Sequence, residues 1–165
     1  SLYYSKPKDI DVSFVGSLRY PERQQYAMEL SSRIPDMLFA GGQRESSLSF
    51  EGFADLIRRS KIQVNFCNNP MGQNYPQLKG RTMETACCGG LLIEQKNTVT
   101  RYFFTPSEDY VEFEDIDDLV EKIQFYRDNE EERLKIAESG YNKFINNWTS
   151  KHFWNRITDK LNVQL

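Results

Sequence analysis

The chain has 165 residues, 39% of them hydrophobic and 27% charged, with a formal net charge of −3; that is enough interior for one domain with a real core and too apolar for a disordered chain. No apolar run reaches the roughly 18 residues of a membrane helix and no signal-peptide pattern opens the sequence, which predicts a cytoplasmic protein without a membrane span. Three cysteines, Cys67, Cys87 and Cys88, form an odd set without CxxC or Cys/His spacing, so a disulfide framework and a zinc site are excluded in favour of small buried thiols.

Taken in chain order, residues 1–10 read as a linker or the tail of a preceding domain, with Lys6-Pro7-Lys8 as punctuation. The first residue is Ser1, which leads us to expect a processed chain or a piece excised from a longer protein. The domain then covers 11–165. Asp11 to Gly16 is a buried strand stopped by glycine, and Pro21 opens a helix with Tyr26, Ala27, Leu30 and Ile34 on its apolar face. A second short strand, Asp36 to Ala40, ends at Gly41-Gly42. Ser49 is placed to cap a helix carrying Phe50, Phe53, Ala54, Leu56 and Ile57.

Ile62 to Phe66 alternates as a third strand, followed by a Pro/Gly loop to Gln77 and a helix from Lys79 to Cys88. Leu91 to Ile93 is the fourth strand. A short helix near Val99 to Phe104 and a fifth strand, Tyr110 to Phe113, complete the alternation, and three helices follow, the first capped by Asp117. Residues 108–132 carry twelve Asp or Glu against Lys122 and Arg127, so the rest of the chain holds 12 of the 24 acidic and 19 of the 21 basic residues. That acidic segment reads as a solvated helix face. The basic remainder suits a small anionic ligand such as a nucleotide diphosphate, and the absence of a dense basic cluster with interleaved aromatics argues against nucleic acid.

Strands alternating with helices predict an α/β, Rossmann-like parallel sheet of about five strands, covered on both faces and closed by a helical C-terminal end. Ligands in such sheets bind beyond the carboxyl ends of the strands. Four loops therefore matter: Gly16 to Pro21, Gly41 to Arg44, Asn65 to Lys79 and Gly89 to Thr98. In the first, Gly16 lets backbone approach a ligand, and Ser17 and Arg19 offer a hydroxyl and a guanidinium. The third runs into Lys79-Gly80-Arg81-Thr82-Met83-Glu84. Two cations and a hydroxyl thus stand at a helix N-terminus, where free N–H groups already favour an anion. Glu84, one turn in, is placed to accept bonds from adjacent ribose hydroxyls. The same spacing also describes an Arg81–Glu84 surface ion pair, and the sequence leaves both readings open.

The run from Ser49 to Phe66, S-F-E-G-F-A-D-L-I-R-R-S-K-I-Q-V-N-F, and the run K-G-R-T-M-E-T-A-C-C-G-G-L-L-I-E from Lys79 to Glu94 resemble group 1 glycosyltransferases, in their spore-maturation-like branch. Tyr102-Phe-Phe-Thr-Pro and Asp118-Leu-Val-Glu-Lys-Ile add to that resemblance. It implies the C-terminal, donor-binding half of a GT-B fold, with an N-terminal acceptor domain elsewhere through which peripheral membrane association becomes available. It also implies a nucleotide-diphosphate sugar as the donor, no cofactor and no metal ion. By resemblance Glu84 falls at the ribose-binding glutamate, Arg81 and Lys79 at cations facing the diphosphate, and the Gly16–Arg19 loop beside them. Thr82 lies within the same motif. Many members carry a second glutamate eight positions earlier, where this chain has Pro76.

Asp9-Ile10-Asp11 and Asp115-Ile116-Asp117 match the D-x-D of metal-dependent transferases. The first precedes a strand rather than following one, and the second reads as helix capping. His152 is the sole histidine, so no His-centred triad is available. The aromatics Tyr102, Phe103 and Phe104, and the pair Phe153 and Trp154, fit either base stacking or a core and a domain interface. A phospho-receiver domain lacks its acidic strand ends here. An epimerase of the same two-domain fold and a non-catalytic nucleotide-sugar binding module remain alternatives to a transferase.

Overall fold

The computed structural model describes residues 7–41, 48–67 and 77–161. Five strands, β1 (Ile10–Val15), β2 (Leu38–Ala40), β3 (Ser60–Asn65), β4 (Leu91–Gln95) and β5 (Val111–Phe113), form one parallel sheet in the order β2-β1-β3-β4-β5. Every pairing is parallel, with Val12 opposite Ile62, Ile62 opposite Leu91 and Ile93 opposite Val111. Six helices connect and cover it: α1 (Pro21–Arg33), α2 (Phe50–Arg59), α3 (Gly80–Cys87), α4 (Ile116–Asp128), α5 (Glu130–Asn147) and α6 (Ser150–Leu161).

The two faces of the sheet differ in chemistry because alternate strand residues point in opposite directions. One face is largely apolar. Val12, Phe14, Ile62, Val64, Leu91, Ile93, Val111 and Phe113 pack there with Leu30 of α1, Leu119 and Ile123 of α4 and Ile136 of α5. Each such fully buried side chain contributes about 1.5–3 kcal/mol. The other face mixes Val15 and Leu92, packed with α2, α3 and α5, with a buried polar seam. Ser13, Gln63 and Glu94 in that seam are wholly buried, and Asn65 nearly so. Ser13 and Ser60 share a hydrogen bond of 2.7 Å, and Gln63 Nε2 donates to Ser13 Oγ at 2.6 Å.

Local signals explain most element ends. Pro21 occupies the start of α1, and the Ser49 hydroxyl accepts from Gly52 N at 3.1 Å to cap α2. The cap of α4 is Asp115, which accepts from Asp118 N at 2.9 Å, whereas Asp117 reaches sideways to Arg33 at 2.5 Å. Both are aspartates at a helix start, and only tertiary contact separates their roles. The helix expected near Val99 to Phe104 shortens to a single 3-10 turn, Thr100–Tyr102.

The acidic segment is more than a solvated face. Asp109 is buried and receives Thr105 N, Ser139 Oγ and Lys143 Nζ at 2.7, 2.8 and 2.6 Å. A Cβ on Gly140 would lie 2.4 Å from Asp109 O, so glycine is what lets α5 reach this loop. The segment expected as linker is also partly docked. Lys8 Nζ donates to Arg58 O and Cys88 O, both at 2.9 Å, closing the C-terminal ends of α2 and α3. Asp9 pairs with Arg59, and Ile10 already belongs to β1.

Candidate functional site

Because all five strands run in parallel, their carboxyl ends share one edge. The connection from β1 leads to β2 on one side and that from β3 leads to β4 on the other, so the order reverses between β1 and β3. A crevice opens where two such connections part. Arg23 of α1 spans it, donating to Ser17 O at 3.2 Å and to Phe66 O at 3.1 Å. Burial holds its guanidinium below the ordinary arginine value.

The loop after β1 is shaped by Gly16. Its N–H donates to Ala40 O at 2.9 Å, and a Cβ there would stand 2.9 Å from the tip of the Phe14 ring. That ring is buried, with Phe66 and Phe39 at centroid distances of 5.1 and 6.2 Å. Ser17 Oγ accepts from Arg19 Nε at 3.3 Å, and Arg19 itself is exposed.

Across the crevice stands the N-terminus of α3. Lys79 is its capping residue without a side-chain cap bond, and Lys79 Nζ reaches Gln77 Oε1 at 2.8 Å. Arg81 turns inward. Its Nη2 donates to Val15 O at 2.6 Å, its Nη1 to Glu84 Oε2 at 2.9 Å, and its guanidinium lies 4.6 Å from the Phe53 ring centroid. Burial lowers the Arg81 pKa, and Glu84 acts against that shift. The ion pair read from the spacing is therefore real but lopsided: the Arg81 side chain is 11% exposed and that of Glu84 41%. Glu84 Oε1 folds back to 3.3 Å from where a Gly80 Cβ would be, which leaves the carboxylate over the first turn of the helix. Beside it a cavity of about 320 Å³, lined by Phe50, Phe53, Ala54 and Met83, gives an apolar wall.

The structure thus gathers the end of β1, Arg81 and Glu84, with Arg19 and Lys79 on loops at the same edge. Thr82 needs correcting. It is fully buried, and its hydroxyl donates to Glu94 Oε2 at 2.7 Å, because the third residue of α3 faces the sheet rather than the crevice. Three groups at this edge were missed in the sequence: Arg23, Asn65 and Glu94. Asn65 Nδ2 donates to Glu94 Oε2 at 2.7 Å, and Thr100 Oγ1 donates to Glu94 Oε1. A carboxylate directly after the apolar run Leu91–Ile93 was the one available signal.

Among the described residues no group of three or more His, Cys, Asp or Glu is arranged to hold a metal ion. The first D-x-D lies at the opposite, amino edge, with Asp9 on Arg59 and Asp11 on Lys61 at 2.7 Å. His152 Nδ1 lies 2.8 Å from Thr149 Oγ1 at the start of α6. The aromatic run divides: Phe104 is core, Phe103 lies 4.9 Å from Trp148, and Tyr102 is exposed. Phe153 and Trp154 are each 56% exposed. Pro76 and residues 42–44 of the second loop lie outside the described residues. No described helix is long and apolar enough to cross a membrane.

Solved structures share this fold. The chain is similar to the C-terminal domain of a glycosyl transferase group 1 family protein (LpcC) from Francisella tularensis, with a TM-score of 0.62 at 12% identity over 90% of this chain and 92% of that one. It is similar to Anabaena HepE in complex with UDP, with a TM-score of 0.66 at 10% identity, covering 94% of this chain and 49% of that one. It is also similar to an alpha1,3-fucosyltransferase with GDP-fucose, with a TM-score of 0.63 at 16% identity, covering 79% of this chain and 38% of that one. The chain thus spans less than half the length of the latter two. At these identities the likeness establishes the fold, that of one domain of a GT-B glycosyltransferase. A comparison with curated protein sequences finds no match. A family model described as "Glycosyl transferase-like" matches residues 4–159 without naming a branch, and the chain belongs to that family.

Proposed function

We propose that this chain is the donor-binding domain of a glycosyltransferase, holding a nucleotide-diphosphate sugar for transfer to an acceptor without a metal ion. The observation that carries this reading is the bond from Arg81 of α3 to Val15 O, which joins the two segments best suited to hold a diphosphate. On one side is the Gly16–Arg19 loop, with Ser17 and Arg19. On the other is the α3 N-terminus, with Lys79 and the positive end of the helix dipole, which favours an anion. The Glu84 carboxylate, half-exposed and held by Arg81, takes the ribose hydroxyls. Arg81 contributes its charge from beneath and orients Glu84, while Arg19 and Lys79 supply the cations that reach the phosphates. Together these groups stabilise charge on the departing nucleotide diphosphate, the role a metal ion plays in other transferases.

HepE was solved with UDP and the fucosyltransferase with GDP-fucose, which supports a nucleotide-diphosphate ligand for this fold. In this reading the acceptor and the catalytic base belong to an N-terminal domain, and the family branch is the spore-maturation-like one. The test is calorimetric titration with UDP, GDP and their sugar conjugates in the presence of EDTA. Saturable binding that survives EDTA and is weakened when Glu84 is replaced supports the reading. Binding that requires a divalent ion refutes its metal-free part, and the absence of binding both here and in a chain extended by an upstream domain refutes the whole.

A further inference from the structure

We propose that Glu94 is a positioning residue: its buried carboxylate fixes the amino end of α3, and with it the Arg81–Glu84 pair, against the carboxyl edge of the sheet. Glu94 lies on β4 in register with Asn65 of β3 and is wholly buried. Its hydrogen-bond partners are neutral. Oε2 receives Asn65 Nδ2 and Thr82 Oγ1, each at 2.7 Å, and Oε1 receives Thr100 Oγ1. Burying a carboxylate against neutral donors is costly, and an apolar residue at this position of β4 would suit a core better. What an apolar residue cannot do is join three segments at one point, which a carboxylate with about four lone-pair directions can.

The three segments are those that frame the site. Asn65 ends β3 where the chain leaves for the third loop, and its amide also approaches Cys67 Sγ at 3.7 Å. Thr100 belongs to the turn after β4. Thr82 sits between Arg81, which must reach Val15 O, and the residues leading to Glu84. Its side chain faces the sheet while theirs reach the crevice, so a displaced Thr82 carries both of them with it. Directional contacts add to close packing in resisting such sliding, and of the seam the Glu94–Thr82 bond is the one that holds α3.

The role in ligand binding rests on the nucleotide reading above; the role in holding α3 does not. Thr82→Val and Thr100→Val each remove one hydroxyl from Glu94 at nearly constant volume, but Thr82 alone belongs to α3. The experiment measures amide hydrogen exchange at Glu84 and Thr85 in the free chain, together with the affinity for UDP and GDP. Thr82→Val is expected to speed exchange and to weaken affinity about tenfold, the scale of one hydrogen bond to a charged group. Thr100→Val, at a comparable melting temperature, is expected to leave both near wild type. Glu94→Gln, which keeps an oxygen for Thr82, restores most of what Glu94→Ala loses; should Glu94→Ala fail to fold, the threonine pair decides. Equal effects of the two threonine variants on exchange overturn the proposal and reduce Glu94 to general stabilisation. A difference in exchange with no nucleotide bound by the wild type keeps the positioning role and rejects the nucleotide reading instead.

Discussion

Arg81 Nη2 donates to Val15 O across 66 positions of sequence, at 2.6 Å, so the first turn of α3 is tied to the last residue of β1. The same guanidinium binds Glu84 and packs on Phe53. A lysine can make one of these contacts but not the planar fork. Arg81→Lys is therefore expected to destabilise the fold by roughly 1–3 kcal/mol in urea denaturation, the range for charged hydrogen bonds that are lost. A midpoint matching wild type rejects the tie.

Glu84 is the more exposed partner in that pair, and its loss is read on ligand as well as on fold. Glu84→Ala is expected to weaken nucleotide binding by roughly 1–3 kcal/mol and to lower the melting temperature as well, because the mostly buried Arg81 guanidinium loses its carboxylate partner. Calorimetry with UDP and GDP measures it. Unchanged affinity removes Glu84 from the ribose.

Gly16 admits no side chain without moving a packed ring. Its Cβ would meet the Phe14 ring at 2.9 Å, and that ring is held by Phe39 and Phe66. Gly16→Ala is expected to cost about 1–3 kcal/mol by overpacking, read as a lower urea midpoint. The paired variant Phe14→Leu, which shortens the ring, should recover part of the loss relative to its own single variant.

Burial, with Cys87 beside it, pushes the Cys88 thiol up from an ordinary value near 9 to about 11. A group whose folded pKa is raised contributes stability that is intact below the unfolded pKa and is lost as pH climbs through the folded one. Between pH 9 and 11 the unfolded chain gains a thiolate that the folded chain refuses. Wild type should therefore lose more stability across that window than Cys88→Ala, as followed by urea midpoints at each pH. Parallel curves reject the assignment to Cys88.

Asp9 and Asp11 sit at the amino edge of the sheet, on Arg59 and Lys61. The double replacement by Asn is expected to leave nucleotide affinity unchanged with or without Mn²⁺. A manganese-dependent affinity that disappears in this variant brings the D-x-D back as a metal ligand.

The parallel α/β architecture was legible from periodicity, because strands buried on both faces are short apolar runs and the helices between them show a 3.6-residue apolar spacing. Pro21 and Ser49 marked their helix starts for local reasons that no distant contact overrides. The choice between Asp115 and Asp117 as the cap of α4 was not legible, because it depends on Arg33 lying within reach of Asp117. Of the candidate site, the placement of Gly16 and Arg81 at one sheet edge followed from two segments lying after strands of one sheet. The inward turn of Thr82 did not, since a hydroxyl at a helix start signals a ligand and a buried partner equally well.

By itself, then, the order of residues determined the elements, their alternation and the edge at which the candidate site lies, all consequences of local propensity and of apolar period. Which side chains meet at that edge was decided by the strand order β2-β1-β3-β4-β5. That order sets β3 beside both β1 and β4, which brings Asn65 opposite Glu94 and carries α3 to the end of β1. Hydrogen bonds across such distances have no period to betray them. They exist only once hydrophobic burial has paired the strands, and they then fix which groups line the candidate site and which hold the others in place.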